Sequence, residues 1–320
     1  LLIQWCLTSG VRISPAAPPR NGRIHPPTHI QEGVTTTSSL ILGGPFGPAA
    51  IALFWIVVVI FAWVVLRHLR LKPSNDRSWV NDNERVTTAE FDGEEVTVRN
   101  VRDFDWRSTR DFDERWIDLT FRLDQVTKIW FVLEYFDPTR RQMAHTILSF
   151  EFEDGRRLAC SIEVRREKGE RYHPVKGLFR QYELIYTWTT ERDAIGVRTR
   201  CRRNSVTHLF EAVILGPGNE RRMLESYLHR TNKLSDKPEW YNTVTNTCTT
   251  NIVRHVNEVY PGRVPRAVAV LLPGLSPKLL HRRNLVKMHG TLEETLKRSI
   301  IDERAKSWDG SCDFGDWIRQ

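Results

Sequence analysis

Cysteine is scarce in this 320-residue chain: there are five, an odd number and too few for a disulfide framework. No Cys/His quartet carries zinc spacing, no glycine-rich phosphate loop occurs, and no internal repeat is visible. A basic stripe interleaved with aromatics is also missing, so nucleic-acid binding, metal binding and a bound cofactor are not expected. Lys plus Arg outnumber Asp plus Glu by 47 to 39. That +8 is uneven: residues 1–75 hold six basic and one acidic residue, which leaves only +3 for residues 76–320. What is present excludes a disordered chain. Forty per cent of the residues are hydrophobic, and the length permits one large domain or two ordinary ones.

Charge is wholly absent between Gly33 and Leu66, and Ala49–Leu66 is unbroken apolar sequence. About 20 such residues cross a bilayer as a helix, so one transmembrane helix is expected over 46–67. The run is long for a signal-peptide core and ends in Arg67-His68-Leu69-Arg70 without small residues, which argues against cleavage. Residues 1–45, rich in Pro, Gly, Ser and Thr, are expected to be disordered, with Cys6 inert. Arg67, Arg70, Lys72 and Arg77 lean towards a cytoplasmic C-terminal side, although large domains translocate despite such charges.

Residues 76–320 read as one α+β domain, an antiparallel sheet followed by packing helices. Strand-like runs cover 85–91, 95–101, 128–136, 145–152, 156–165, 182–189, 195–200 and 206–214. Helical spacing covers 219–234 and 249–260.

The second of these helices carries the first chemical signal. Cys248, Ile252, Val256 and Val259 share one face, Asn246 or Thr247 can cap the start, and Pro261-Gly262 ends it. Cys248 then sits in the first turn, where free amides and the helix dipole favour a thiolate. The competing reading is a small apolar residue opening a buried face. Upstream, Glu153-Asp154-Gly155 makes a three-residue hairpin loop with Gly155 in the left-handed conformation. Leu148 then faces Cys160, Ile147 faces Ser161, and His145 faces Glu163. A nucleophile (Cys248), a base (His145) and an orienter (Glu163) are therefore available, with Asn246, Thr247 or a backbone amide as oxyanion donor. A surface His–Glu pair at a strand end is the alternative for the hairpin, and spacing does not by itself join it to Cys248.

These residues resemble the Lnb N-terminal periplasmic domain family of bacterial membrane proteins. The likeness runs through His-Thr-Ile-Leu-Ser-Phe at 145–150, Ser-Ile-Glu-Val-Arg-Arg-Glu-Lys-Gly-Glu at 161–170 and Leu-Phe-Arg-Gln-Tyr-Glu-Leu-Ile-Tyr at 178–186. It continues through Tyr-Asn-Thr-Val-Thr-Asn-Thr-Cys-Thr-Thr-Asn-Ile at 241–252, Leu-Leu-Pro-Gly at 271–274 and Ile-Asp-Glu-Arg-Ala at 301–305. The resemblance implies a permuted papain-like (NlpC-type) thiol fold with the His strand before the Cys helix. It also implies a domain on the periplasmic side of the cytoplasmic membrane, and lipoprotein N-acyltransferase activity as in some members. Cys248 would take an acyl chain from phospholipid and pass it to an amine such as a lipoprotein N-terminus. The family commonly reads Asn-Asn-Cys; here Thr247 precedes Cys248, so an oxyanion role of that Asn falls to Thr247 acting differently or to Asn246. A cysteine amidase or peptidase acting on cell-wall peptide or protein, and a non-catalytic binding domain, are the alternatives.

Arg165, Arg180, Tyr182 and Glu183 are expected at the substrate rim, with a buried Arg180–Glu183 ion pair as the rival reading for those two. Arg198, Arg200, Arg202 and Arg203 read as a solvated strand face, with contact to lipid phosphates as the lesser alternative.

Overall fold

A computed structural model describes residues 47–265 and 268–320. The expected disordered segment 1–45, with Cys6, lies outside them. Contacts divide the chain into one unit ending at Ile60 and a second running from Phe61 to Gln320.

Helix α1 (Pro48–Arg70) is apolar on every side, and none of its residues is buried by protein. Its 23 residues span ~35 Å at 1.5 Å per residue, which suits a bilayer core of ~30 Å. It runs three residues past the expected end at 67, so Arg67, His68 and Arg70 lie in its last turn.

Ten strands follow: β1 (Thr88–Asp92), β2 (Glu95–Arg102), β3 (Asp105–Trp106), β4 (Phe112–Asp113), β5 (Trp116–Arg122), β6 (Val126–Tyr135), β7 (Ala144–Phe152), β8 (Arg157–Arg165), β9 (Glu183–Thr189) and β10 (Val206–Glu211). The main sheet runs β1-β2-β9-β8-β7-β6-β10, with β5 also on β2; β3 and β4 form a separate ribbon. Its neighbours are antiparallel except β2 and β9, which meet in parallel at Arg102 and Thr189.

Alternation along the central strands sends side chains to two buried faces. Phe131, Leu133, Leu148, Phe150 and Cys160 pack under α3 (Asn219–Asp236) and α4 (Cys248–Val259). Val132, Ile147 and Ala159 point the other way, towards α2 (Glu191–Gly196) and the C-terminal residues Ile301, Phe314 and Ile318. Helices thus cover both faces, which is why these strands read as continuous apolar runs rather than strict alternation. Between the first-face helices and the C-terminus lie the short α5 (Val268–Leu271) and α6 (Ser276–Arg282). Gly274, closing the Leu-Leu-Pro-Gly motif, approaches the Arg141 carbonyl so closely that an added Cβ would lie 1.6 Å from it.

One expected strand is not a strand. Thr190 accepts a hydrogen bond from the amide of Asp193 and starts α2, and Glu191 and Asp193 complement the first turn. The helix then loosens into a π-turn over Val197–Cys201. Ala194, Ile195 and Arg198 share the sheet-facing side at helical spacing, so Arg198 is buried at 3% exposure rather than solvated. The alternating arginines mimicked a strand, but the cap at Thr190 decides.

Asp193 also anchors this segment. Its carboxylate accepts two bonds from Arg102, at 2.8 and 2.9 Å, one from the Phe104 amide at 2.8 Å, and one from Trp106 Nε1 at 2.9 Å. Removing the carboxylate strands a buried guanidinium, which costs about 3–5 kcal/mol. Asp193→Ala is expected to lower the denaturant midpoint of the full chain accordingly. Arg107→Ala, on an exposed ion pair with Asp111 and Asp113, should leave that midpoint in place.

Candidate active site

The hairpin of β7 and β8 adopts the register read from its loop: Leu148 opposes Cys160 and Ile147 opposes Ser161, with Gly155 at φ +81°. The pairing stops there. Beyond Ile147 and Ser161 the strands part, His145 lies opposite Glu134 of β6, and Glu163 lies opposite Ile185 of β9. His145 and Glu163 are therefore not cross-strand neighbours as expected.

Ser161 bridges them instead. His145 Nε2 is 2.7 Å from Ser161 Oγ, and Ser161 Oγ donates to Glu163 Oε1 at 2.6 Å; the imidazole and carboxylate are 3.3 Å apart. Arg198 Nη2 reaches the same Glu163 oxygen at 2.8 Å. Its Nε lies 3.0 Å from Glu134 Oε2, and Arg202 pairs with the other oxygen of Glu134 at 2.5 Å. The side chain of Glu163 is three-quarters covered, and that of Glu134 is almost wholly buried.

Cys248 enters from the first face of the sheet. It is the first residue of α4, behind a reciprocal cap in which Thr247 Oγ1 accepts from the Thr250 amide and Thr250 Oγ1 accepts from the Thr247 amide. Asn246 donates to the Trp240 carbonyl at 2.9 Å and accepts from Asn251 Nδ2 at 2.9 Å. Both side chains considered for oxyanion binding, Asn246 and Thr247, are thus engaged in shaping the turn. Among the described residues, no acceptor pairs with the backbone amides of Cys248 and Thr249, two of the orphan donors of a helix start.

The thiol meets the imidazole where β7 and β8 part. Because the ladder ends at Ile147, the Thr146 amide is free to turn to Cys248. Burial pushes the Cys248 thiol up, but the His145 charge and hydrogen bonding from His145 and Thr146 bring it down to about 7. Burial opposes charging His145, yet Glu163 and Cys248 raise it to about 9. Glu163, despite burial, is held well below the usual carboxylate range by His145 and Arg198. With Nε2 engaged by Ser161 and Glu163, Nδ1 is the ring nitrogen left for the thiol. No Cys248–His145 hydrogen bond is closed to full geometry here, and Sγ lies 3.7 Å from Thr249 Oγ1. Such bonds tighten when substrate binds.

A cleft of about 360 Å³ opens over the pair. Asp82, Arg166, Tyr172, Arg202 and Tyr241 line it together with His145, Glu163, Arg198 and Cys248. All four residues expected at its rim, Arg165, Arg180, Tyr182 and Glu183, are elsewhere. Arg165 is 1% exposed, bonded to the carbonyls of Asn83 and Glu84 and to Asn75, and stacked on Trp79. Buried Tyr182 donates its hydroxyl to the Arg171 carbonyl, and buried Glu183 accepts from the Ser74 amide. Arg165 shares the strand face of Glu163 but is drawn away by its bonds, and Arg166, just past the end of β8, is the one at the cleft. Arg180 does not pair with Glu183 either; it donates to the His68 carbonyl. Glu183 instead lies 3.4 Å from Arg77, and burial pushes its carboxyl up to about 7.

Ser161, Glu134, Arg198, Tyr172 and Tyr241 were not singled out as active-site residues from sequence. Ser161 was visible as the residue two before Glu163 on one strand face, and Arg198 was recoverable from the Thr190-x-x-Asp193 cap.

The described chain therefore comprises a helix of bilayer length and a mixed α+β domain that brings a buried cysteine and a histidine together at a helix start. It belongs to the Lnb N-terminal periplasmic domain family, whose model matches residues 112–274 and so includes His145, Ser161, Glu163, Arg198 and Cys248. No curated protein and no solved structure matches it. Among the described residues no group of acidic, His and Cys side chains is arranged to hold a metal ion.

The ion pair predicts a pH profile for alkylation. Peptide-resolved iodoacetamide labelling of Cys248 should rise with a midpoint near pH 7, as the thiolate forms. Glu163→Gln removes the charge that supports imidazolium, so the midpoint should move upward. An unchanged midpoint would sever Glu163 from the pair.

Proposed function

We propose that this chain is a membrane-anchored cysteine acyltransferase, its domain a permuted papain-like fold in which the His145 strand precedes the Cys248 helix. The observation that carries this reading is the first turn of α4. A thiol whose ionisation is favoured, a histidine partner and two unpaired amides converge there. A helix of bilayer length on the same chain would give access to lipid, and the family's name is consistent with a periplasmic domain.

In the first half-reaction the Cys248 thiolate attacks an ester carbonyl of phospholipid, forming the C–S bond. The oxyanion lies against the Cys248 and Thr249 amides. Collapse breaks the ester C–O bond, imidazolium His145 gives its proton to the departing alkoxide, and a lysophospholipid leaves. In the second, an amine such as a lipoprotein N-terminus attacks the thioester. Neutral His145 takes the amine proton, and the C–S bond breaks to return the thiolate as the amide forms. Ser161 and Glu163 hold the ring through Nε2, and Arg198 holds Glu163. Neither the donor lipid nor the acceptor is a cofactor.

The full chain in phospholipid vesicles should show an acyl adduct by intact mass, removed by hydroxylamine and absent in Cys248→Ala. His145→Ala should slow its formation by roughly 10²–10⁴-fold. Transfer of the label to a lipopeptide amine supports the acyltransferase. Release only to water, or cleavage of cell-wall peptide without lipid, assigns the same residues to a hydrolase. A Cys248 that takes no acyl group from any lipid defeats the proposal.

A further inference from the structure

A second cavity lies on the first face of the sheet, beneath the helix that carries Cys248. It is lined by Thr249, Ile252 and Val256 of α4, by Leu148 and Phe131 of the sheet, and by Leu279 of α6. Its space of about 90 Å³ opens at the surface and is almost purely apolar, a lining that accepts hydrocarbon.

Its polarity is not uniform. Ser276, at the start of α6, lines the cavity, is 4% exposed, and among the described residues its hydroxyl has no hydrogen-bond partner. A buried hydroxyl without a partner is costly and calls for one in a ligand. Cys248 itself lines the other cleft, and this cavity adjoins it through Thr249, the next residue of α4. The turn before Ser276 is pinned by Tyr135, whose hydroxyl donates to the Gly274 carbonyl at 2.9 Å, and Tyr135 pairs with Ala144 beside His145. Thr249 follows Cys248, and Leu148 lies two residues beyond Thr146, which touches Cys248. The apolar remainder extends along α4 for ~10 Å, the rise from Thr249 to Val256. It also passes Ile129, four residues before Leu133 on β6.

We infer that this cavity receives the part of a fatty acyl chain nearest its carbonyl, while that carbonyl is held at Cys248. The polar atoms stand at the carbonyl end, where Ser276 donates to an oxygen of the lipid ester, and the hydrocarbon lies against Leu148, Ile252 and Leu279. This inference rests on the acyltransferase reading for its chemistry but not for its geometry. It assigns a place for the donor's acyl chain in this fold.

The test separates the two. In the full chain reconstituted in vesicles, Cys248 acylation by p-nitrophenyl acetate and p-nitrophenyl octanoate is followed by intact mass. Val253→Trp and Leu279→Trp fill the cavity from opposite helices. Both should keep acetylation while losing the octanoyl preference by about tenfold or more, since each buried methylene carries ~0.8 kcal/mol. Acetylation confirms that a variant is folded and its thiol competent. An octanoyl-to-acetyl ratio unchanged in both variants overturns the inference. If no ester acylates Cys248, the function proposal fails, and binding is read directly with Cys248→Ala and a diazirine-bearing palmitate. Photoadducts on α4 and α6 that vanish in Leu279→Trp support the cavity; adducts confined to α1 overturn it.

Discussion

Two buried carboxylates on one face of a sheet repel each other unless a cation stands between them, and Arg198 is that cation. Its guanidinium spans Glu134 on β6 and Glu163 on β8, with β7 and His145 between those strands. Losing it would take from Glu163 one of the two cations that hold its charge and so favour its protonation. A protonated Glu163 no longer supports imidazolium, so the thiol would lose the charge that favours its ionisation. The π-turn that carries Arg198 is therefore tied to the chemistry three groups away. A π-turn is a rare backbone form that recurs at functional sites.

The second constraint is backbone. Cys248 belongs to a helix packed on one face of the sheet, and His145 projects on the side of Ile147, which packs on the other. A continuous β7–β8 ladder would keep them apart and would consume the Thr146 amide. Ending the ladder at Ile147 and Ser161 opens a passage between the faces and frees that amide for sulfur. Ser161, the last paired residue, is then positioned to span the widened distance between His145 and Glu163.

How far this was legible in the residues follows from the range of each cue. The hairpin register, the start of α4 and the apolar α1 are governed by neighbours within a turn or two, and local spacing reveals them. The parting of β7 from β8 depends on α4, a hundred residues away, so the loop at 153–155 correctly aligned Ile147 with Ser161 and then misaligned His145 with Glu163. Arg165 and Arg166 show the same boundary: a charged pair in sequence says nothing about which member distant carbonyls at Asn83 and Glu84 will bury. Arg198 was misread for another reason. Alternation over five residues fits a strand, but a cap eight residues earlier fits a helix, and burial of Ala194 and Ile195 settled the contest. The glycine of Leu-Leu-Pro-Gly had no visible role until the Arg141 carbonyl was seen against it.

A transferase working through a thioester must give an amine precedence over water, which is present in vast excess. Burial of the reacting groups is one means to that end. Cys248 and His145 are each less than a tenth exposed, and buried Tyr241 stands beside them in the cleft. The amides proposed as oxyanion donors belong to a helix with a reciprocal cap, so on that reading they would need no reorganisation when a tetrahedral centre forms. The covered thiol, an apolar cavity beside its helix and a helix of bilayer length are three separate features, and under the proposed transferase reading the exclusion of water from an acyl chain would give them one physical reason.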